Sequence, residues 1–373
     1  MRRRTLLAVP AGIALATAVP AAARAGGPRR CTTIRGADIS TLPKNEDHGA
    51  VYLDERGHRR DAIEILAAHG MNFARLKVWV NPADGYNDKR HVLAMARRIK
   101  AHRMGLSIDF HYSDTWADPG HQTKPAAWAD LPFDQLKQAL YDHTYDVLSA
   151  LRRQGTPADM AQVGNEINGG LLWPDGRWDQ WDNLAALLTA GSHAVKAASP
   201  RTQVMLHLAN GGDNGGARWW FDNATSRGVP FDLIGLSHYV YWHGTLAALL
   251  ANMNDITVRY GKPAMVVETA YGFTLAEEDA ETNIFNASLE AAGGYPATPA
   301  GQAQAVRDMF DTVASVNGGQ GLGVLYWEPT WTAVAGAGWD PTNPASGDGW
   351  ENQALFGYDN RVLPALKEFA PDR

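Results

Sequence analysis

Two stretches of the chain end an apolar run on a carboxylate. In VGNEINGGLLWPDG (residues 163–176) strand-like residues stop at Asn165 and Glu166 and glycines follow, and AMVVETAYGFT (264–274) breaks at Glu268 in the same way. A glutamate so placed caps a helix, ties down a loop through an ion pair, or acts as a reagent. Two carboxyl groups flanking one bond suit glycoside hydrolysis, in which one protonates the leaving oxygen and the other attacks the anomeric carbon. Their environments would have to differ. Arg75, at the end of another β-rich run, is placed to reach Glu268 and hold it ionised, because a nearby cation favours the charged form. Glu166 needs the reverse, a pKa raised by burial and by the neighbouring negative charge. Asn165 is placed to hydrogen-bond a sugar 2-hydroxyl, a contact that strengthens in the transition state.

Groups so far apart in sequence need a scaffold that gathers them. Short β-rich runs at 33–39, 73–79, 105–110, 160–164, 203–208, 233–237, 264–267 and 323–326 alternate with helical periodicity at 59–69, 87–102, 133–154, 183–198, 216–227, 245–260 and 302–316. In the longest helix Leu136, Leu140, Tyr145, Leu148 and Leu151 approximate an apolar stripe. Gly70, Gly105, Gly155 and Gly261 stand where a left-handed residue ends a helix. Eight such units predict an α/β protein with a single-domain (β/α)8 TIM barrel over residues 26–373, ahead of a doubly wound sheet. The chemistry of that fold sits at the carboxyl ends of its strands. Those ends carry Asp38, Arg75 and Trp79, Asp109 and His111, Asn165 and Glu166, His207, His238 and Tyr239, Glu268, and Trp327 and Glu328. Glu166 closes the fourth strand and Glu268 the seventh, so the two face each other across the mouth.

Residues 1–25 have a basic start, an apolar middle interrupted by Pro10 and Pro20, and a small-x-small ending at Ala23-Arg24-Ala25. This predicts an export signal cleaved after Ala25, and hence a secreted protein, by the general or the twin-arginine route. Loss of four arginines takes the formal charge from -6 to -10, which disfavours nucleic acid as a partner. No further run is long enough to span a membrane. The single cysteine, Cys31, excludes an intramolecular disulfide.

With these features in hand the chain closely resembles glycoside hydrolase family 53, the arabinogalactan endo-β-1,4-galactanases. The resemblance is carried by GADIS (36–40), RLKVWVNP (75–82), DFHYSDTWADPGHQTKPAAW (109–128), VGNEINGGLLWPDG (163–176), HLANG (207–211), GLSHYVYWHGTL (235–246), VVETAYG (266–272), YWEPTW (326–331) and GWENQALFGYDN (349–360). It implies a barrel of the large retaining-glycosidase clan, Glu166 as acid/base, Glu268 as nucleophile, and the β-1,4-galactan side chains of pectin as substrate. Two departures stand out. The family's Ser-Tyr-Tyr-Pro becomes Ser237-His238-Tyr239-Val240, so that either Tyr239 or His238 must steady the nucleophile, and Gly272 stands where the family often has proline.

Thirteen tryptophans are many for 373 residues. On a barrel Trp116, Trp173, Trp242, Trp327, Trp331 and Trp350 fall in rim loops as platforms for pyranose faces, Trp327 foremost, whereas Trp79 and Trp128 serve equally well as packing. Asp109, His111 and His207 are expected to contact sugar hydroxyls or orient the glutamates. Histidines at strand ends also raise a metal-dependent hydrolase as an alternative, against which the paired glutamates with Asn165 argue. After the seventh strand Glu277, Asp279, Glu281 and Asn283 place an oxygen at every second residue. Bacterial members of the resembled family bind Ca²⁺ through such a run, with Asp348 and Glu351 as the matching pair here; an acidic solvated face is the plainer reading. The expectation is a secreted, monomeric endo-β-1,4-galactanase that needs no organic cofactor. A related glycanase acting on xylan, mannan or glucan, and a non-catalytic galactan-binding barrel, are the alternatives.

Overall fold

A computed structural model describes residues 32–371; the expected signal segment and Cys31 lie outside the described residues. Strands β1 (Ile34–Asp38), β2 (Phe73–Val78), β3 (Gly105–Phe110), β4 (Met160–Val163), β5 (Gln203–Leu208), β6 (Leu233–Ser237), β7 (Ala264–Glu268) and β8 (Gly321–Trp327) run parallel, and β8 closes on β1. This is the (β/α)8 barrel. The helices are α1 (Leu42–Asp47), α2 (Ala62–Ala68), α3 (Lys89–Ala101), α4 (Phe133–Arg153), α5 (Trp181–Ala198), α6 (Asn214–Ser226), α7 (Leu246–Tyr260), α8 (Ala287–Gly293) and α9 (Pro299–Ala314). Helices α1 and α8, in the loops after β1 and β7, were not foreseen, because α1 buries a single apolar residue, Leu42, and α8 buries none, so neither carries an apolar stripe. Helix starts are fixed by side chains that accept otherwise orphaned N–H groups: Asp61 from Ile63 and Glu64, Asp88 from His91, Thr245 from Ala248 and Thr298 from Gly301. Among the described residues no helix is long and apolar enough to cross a membrane.

Two sequence expectations need correction. Tyr145 is exposed, and the inner face of α4 is completed by Thr144 and Val147. Gly70, Gly155 and Gly261 are left-handed as expected, but after α3 that conformation falls to Arg103 (φ 59°). Gly105 instead begins β3, where a Cβ would stand 2.3 Å from the Phe73 ring.

Strand alternation sorts the barrel interior into two zones. Phe73, Met160, Met205, Leu233, Met265, Val267 and Leu325 form an apolar plug. One strand step nearer the mouth, Arg75 follows Phe73, Gln162 follows Met160 and His207 follows Met205, each completely or almost completely buried. Side chains that would be ruinous if isolated are therefore stacked on a hydrophobic floor and must satisfy one another. Between β6 and β7 the register slips: Leu236 lies opposite Val266, but Ser237 lies opposite Glu268. The extra residue, Val267, makes a bulge at the nucleophile candidate.

Candidate active site

Arg75 is the hub. Its Nε donates to Gln162 Oε1 (2.7 Å) and its Nη1 to Asp38 Oδ2 (2.9 Å). Nη2 meets Asp109 Oδ2 (2.8 Å), Asn165 Oδ1 (2.8 Å) and Glu268 Oε1 (2.9 Å). Only a planar, permanently charged fork can serve five acceptors from four strands at once. Despite the cost of burial, Arg75 and then His111 hold the Asp109 carboxyl down to about 2. His111 Nδ1 accepts from Trp79 Nε1 (3.2 Å) and from the Ala117 N–H (3.0 Å), so its proton sits on Nε2, 2.9 Å from Asp109 Oδ2.

Glu268 is gripped on both oxygens, by Arg75 and by the Tyr239 hydroxyl, which donates to Oε2 at 3.2 Å. Burial raises its pKa and Arg75 opposes the rise. Glu166 is pushed well above the usual carboxylate range, first by burial and then by the charge of Glu268; a hydrogen bond from Ser237 works the other way. Since the ion pair is made to Glu268, Glu268 is the member that ionises first and Glu166 the member that keeps the proton. Glu166 has φ 48°, a left-handed conformation costing about 1–3 kcal/mol in a non-glycine residue. Its own N–H, 3.3 Å from His207 Nδ1, helps hold it there. That nitrogen also accepts from Gln162 Nε2 (3.0 Å), which leaves the proton of His207 on Nε2, 2.8 Å from Ser237 Oγ. Asn165 Oδ1, 2.9 Å from the same Nδ1, takes its proton from Arg75, while Asn165 Nδ2 donates one proton to Ala117 O (2.8 Å). Burial and Arg75 keep His207 neutral. His207 lies beneath the cleft and orients the glutamates' neighbours; it does not line the substrate space.

Above this layer opens a cleft of about 860 Å³. Asn165, Arg75, Asp109, His111, Trp116, Tyr239, Trp242, Trp327, Trp331 and Trp350 all line it with the two glutamates. Trp116 stacks on Trp331 (5.7 Å, 14°), and Trp327 meets Trp350 edge-on (4.6 Å), so the aromatic wall is continuous. His238 is a correction. Its ring is fully buried behind β6 against Gly211 and His243, and burial depresses its pKa to about 3, so Tyr239 alone of that pair reaches the nucleophile candidate. Trp173 is also absent from the lining; it donates through Nε1 to Gly169 O (2.8 Å). Trp79 and Trp128 are packing residues. At Gly272 a Cβ would lie 2.2 Å from the Phe285 ring, which fills the space of any larger residue.

Sequence reasoning missed several contributors to the site. Lys77, an inward residue of β2, pairs with buried Glu328 (2.8 Å) and lies 4.2 Å from the Trp116 ring centre, fixing one edge of the aromatic wall. The period-two pattern of β2 would have pointed to it, whereas nothing local marks Trp339, Asp118, Asn210 or His243, which also line the cleft.

The expected cation loop is assembled only in part. Glu277 is exposed and accepts the Asn283 N–H, and both Asp279 oxygens accept backbone N–H groups, from Glu281 and Asp348. Among the described residues no three His, Cys, Asp or Glu side chains form a metal-holding group. Yet Asn283 Oδ1, Asp348 Oδ2 and Glu351 Oε2 are buried without a hydrogen-bond partner, and burial followed by mutual repulsion raises the Asp348 carboxyl well above its usual range. Hard oxygens short of positive charge fit a cation such as Ca²⁺.

Comparison with known proteins agrees with this geometry. The chain is similar to an arabinogalactan endo-beta-1,4-galactanase of Thermothelomyces thermophilus, 37% identical over 345 residues that cover 90% of this chain and 98% of the relative. It is 34% identical over 370 residues to an endo-beta-1,4-galactanase of Bacillus subtilis strain 168, covering 90% and 85%. Its structure superposes on the GH53 catalytic domain of Ignisphaera aggregans with a TM-score of 0.88 and 40% identity, over 91% of this chain and 96% of that one. The model of glycosyl hydrolase family 53 matches residues 34–369. A match that begins at the first residue of β1 and runs past the last helix leaves no barrel strand outside it, and the chain belongs to glycosyl hydrolase family 53, a family of glycoside hydrolases.

Proposed function

We propose that this glycoside hydrolase is a secreted endo-β-1,4-galactanase that cuts internal bonds of the type I (arabino)galactan of pectin with net retention of configuration. The galactanase names borne by relatives at 34% and 37% identity support the substrate. The basic, apolar and small-x-small order of residues 1–25 supports export. The observation that carries the mechanism is the unequal treatment of two buried carboxyl groups, one ion-paired to Arg75 and one kept protonated by burial and its neighbour's charge.

In the first step Glu268 attacks the anomeric carbon as the glycosidic C–O bond breaks, and Glu166 passes its proton to the departing oxygen. In the second, Glu166, now a carboxylate, takes a proton from water. The resulting hydroxide oxygen displaces Glu268 and restores both groups. Tyr239 and Arg75 hold the nucleophile's oxygens in line, and Asn165 borders the place of the 2-hydroxyl. The aromatic wall binds pyranose faces. Asn283, Asp348 and Glu351 would hold a structural Ca²⁺ that neutralises the loops after β7 and β8 and takes no part in bond cleavage.

Proton NMR of galactan digestion tests the reading. The first product should be the β-anomer, and Glu268→Ala should be inactive. A first-formed α-anomer would overturn retention, unchanged activity of the variant would overturn the site, and cleavage of xylan or glucomannan in preference to galactan would overturn the substrate.

A further inference from the structure

Four tryptophans are exposed by more than two-fifths of their surface: Trp178 (45%), Trp219 (46%), Trp242 (47%) and Trp339 (44%). Trp242 and Trp339 line the cleft, but Trp178 and Trp219 lie outside it. Apolar rings left in water at one spot mark a contact surface more often than a lone exposed residue does. These two meet at 6.2 Å with their planes 69° apart.

Their mounting is rigid. Trp219 rests edge-on against Trp181 (5.7 Å), and Trp181 against Trp220 (5.4 Å). Trp220 is buried and donates through Nε1 to Ile167 O (2.8 Å), the residue after Glu166. The Trp178 N–H donates to Gly169 O (3.1 Å). Asn168, between them, exchanges hydrogen bonds with Ala209, which lines the cleft. The exposed pair is thus built onto the outer side of the cleft wall formed by the loops after β4 and β5.

A second feature adjoins it. The Arg227 guanidinium lies over the Trp181 ring (5.6 Å) and pairs with Asp182 (2.8 Å). From that pair a groove of about 530 Å³ runs between α4 and α5, lined also by Gln138, Tyr141 and His193. Its charges are spent within the protein, since Lys137, the other cation of the groove, pairs with Asp134 (3.0 Å). What remains is aromatic faces beside amide, phenol and imidazole groups. That chemistry suits a neutral, hydroxyl-rich chain and offers no net charge to a polyanion.

We propose that Trp178 and Trp219, continued by the groove between α4 and α5, form a second binding site for a neutral polysaccharide, outside the catalytic cleft, which keeps the enzyme on its polymer between cuts. The identity of that polymer as galactan rests on the reading above; the contact of a sugar chain with these rings does not.

Affinity electrophoresis tests it with Glu268→Ala protein, which cannot consume the probe, run in native gels containing galactan, xylan or glucomannan, with a saturating galacto-oligosaccharide present to fill the cleft. Retardation should persist under that competitor, fall about threefold to tenfold in apparent affinity when Trp178→Ala and Trp219→Ala are added, and be largely kept by Trp178→Tyr with Trp219→Tyr. In the active enzyme the alanine pair should slow polymer cleavage while sparing a galacto-oligosaccharide short enough to lie within the cleft. Equal migration of parent and alanine pair in every gel would overturn the proposal, as would an equal loss on polymer and oligosaccharide. If galactan neither retards nor is cut but another glycan is held through the two tryptophans, the galactan reading fails and the second site stands.

Discussion

The sharpest consequence of the site geometry concerns Arg75. Its guanidinium pairs with three carboxylates, Asp38, Asp109 and Glu268, at 2.9, 2.8 and 2.9 Å, and all four side chains are buried. An ion pair with charge centres about 4 Å apart is worth ~4 kcal/mol at an effective dielectric constant near 20. Arg75→Met removes that interaction from each carboxylate. Unpaired buried charge should cost ~3–5 kcal/mol of stability. It should also raise the pKa of Glu268, because a group that gains from a neighbouring cation loses that gain when the cation goes. As the proposed nucleophile, Glu268 must be ionised, so the acid limb of the kcat/KM profile should move to higher pH. Arg75→Lys separates charge from shape: one ammonium keeps a cation near Glu268 but cannot reach five acceptors. It should therefore leave the acid limb close to wild type while kcat/KM at the optimum falls about 10²- to 10³-fold, the range seen when one transition-state donor is removed. The assay is initial rates on soluble galactan from pH 3 to 9 for wild type and both variants, with thermal melts alongside. Coincident acid limbs in wild type and Arg75→Met would refute the electrostatic role, and a fully active Arg75→Lys would refute the geometric one.

The same network makes further demands. Ser237→Ala removes a hydrogen bond that favours ionised Glu166, so the basic limb of kcat/KM should move to higher pH; a downward shift or none would contradict the orientation derived for His207 and Ser237. His238 has a folded-state pKa of about 3, below its unfolded value of ~6.5, so its stabilisation is complete above pH 6.5 and lost as pH falls toward 3. His238→Gln should then flatten the pH dependence of Tm, which linkage puts at about 2 kcal/mol between pH 6.5 and 5 for the histidine alone; parallel melting curves would exclude the effect. Chelation by EGTA should lower Tm through the loops bearing Asn283, Asp348 and Glu351, and Ca²⁺ but not Mg²⁺ should restore it; indifference of both Tm and activity would remove the cation from the account.

Much of this was legible because two periodicities govern a barrel. Runs of β-branched and apolar residues separated by helical patterns gave eight strands, and with them the rim on which Arg75, Asn165, Glu166 and Glu268 had to stand. The aromatic wall followed, since Trp327 ends β8 and Trp331 and Trp350 lie in the segment after it. Hidden from such reasoning were contacts set by loop conformation, such as Trp116 Nε1 donating to Trp339 O (2.9 Å), more than two hundred residues away in sequence. Tyr239 and His238 could have been told apart. Ser237 faces inward to His207, so simple alternation sends His238 outward and brings Tyr239 back to the mouth, where it is found.

Alternation fails at the nucleophile candidate itself, and the failure is informative. Met265 and Val267 both belong to the interior plug, so an unbroken β7 would turn Glu268 outward into the layer between sheet and helices. There it would meet α-helical hydrophobic faces instead of Arg75. The slip that sets Ser237 opposite Glu268 places Val267 and Glu268 successively on the inner side, so the bulge aims the carboxylate at the hub. AMVVETAYGFT contains no glycine or proline between Ala264 and Glu268 that would mark a bulge, because its cause lies in the partners: an inward Glu268 meets the Arg75 cation and accepts Tyr239, whereas an outward one would bury its carboxylate with neither. The local irregularity is thus what gives the buried carboxylate of β7 the cation of β2.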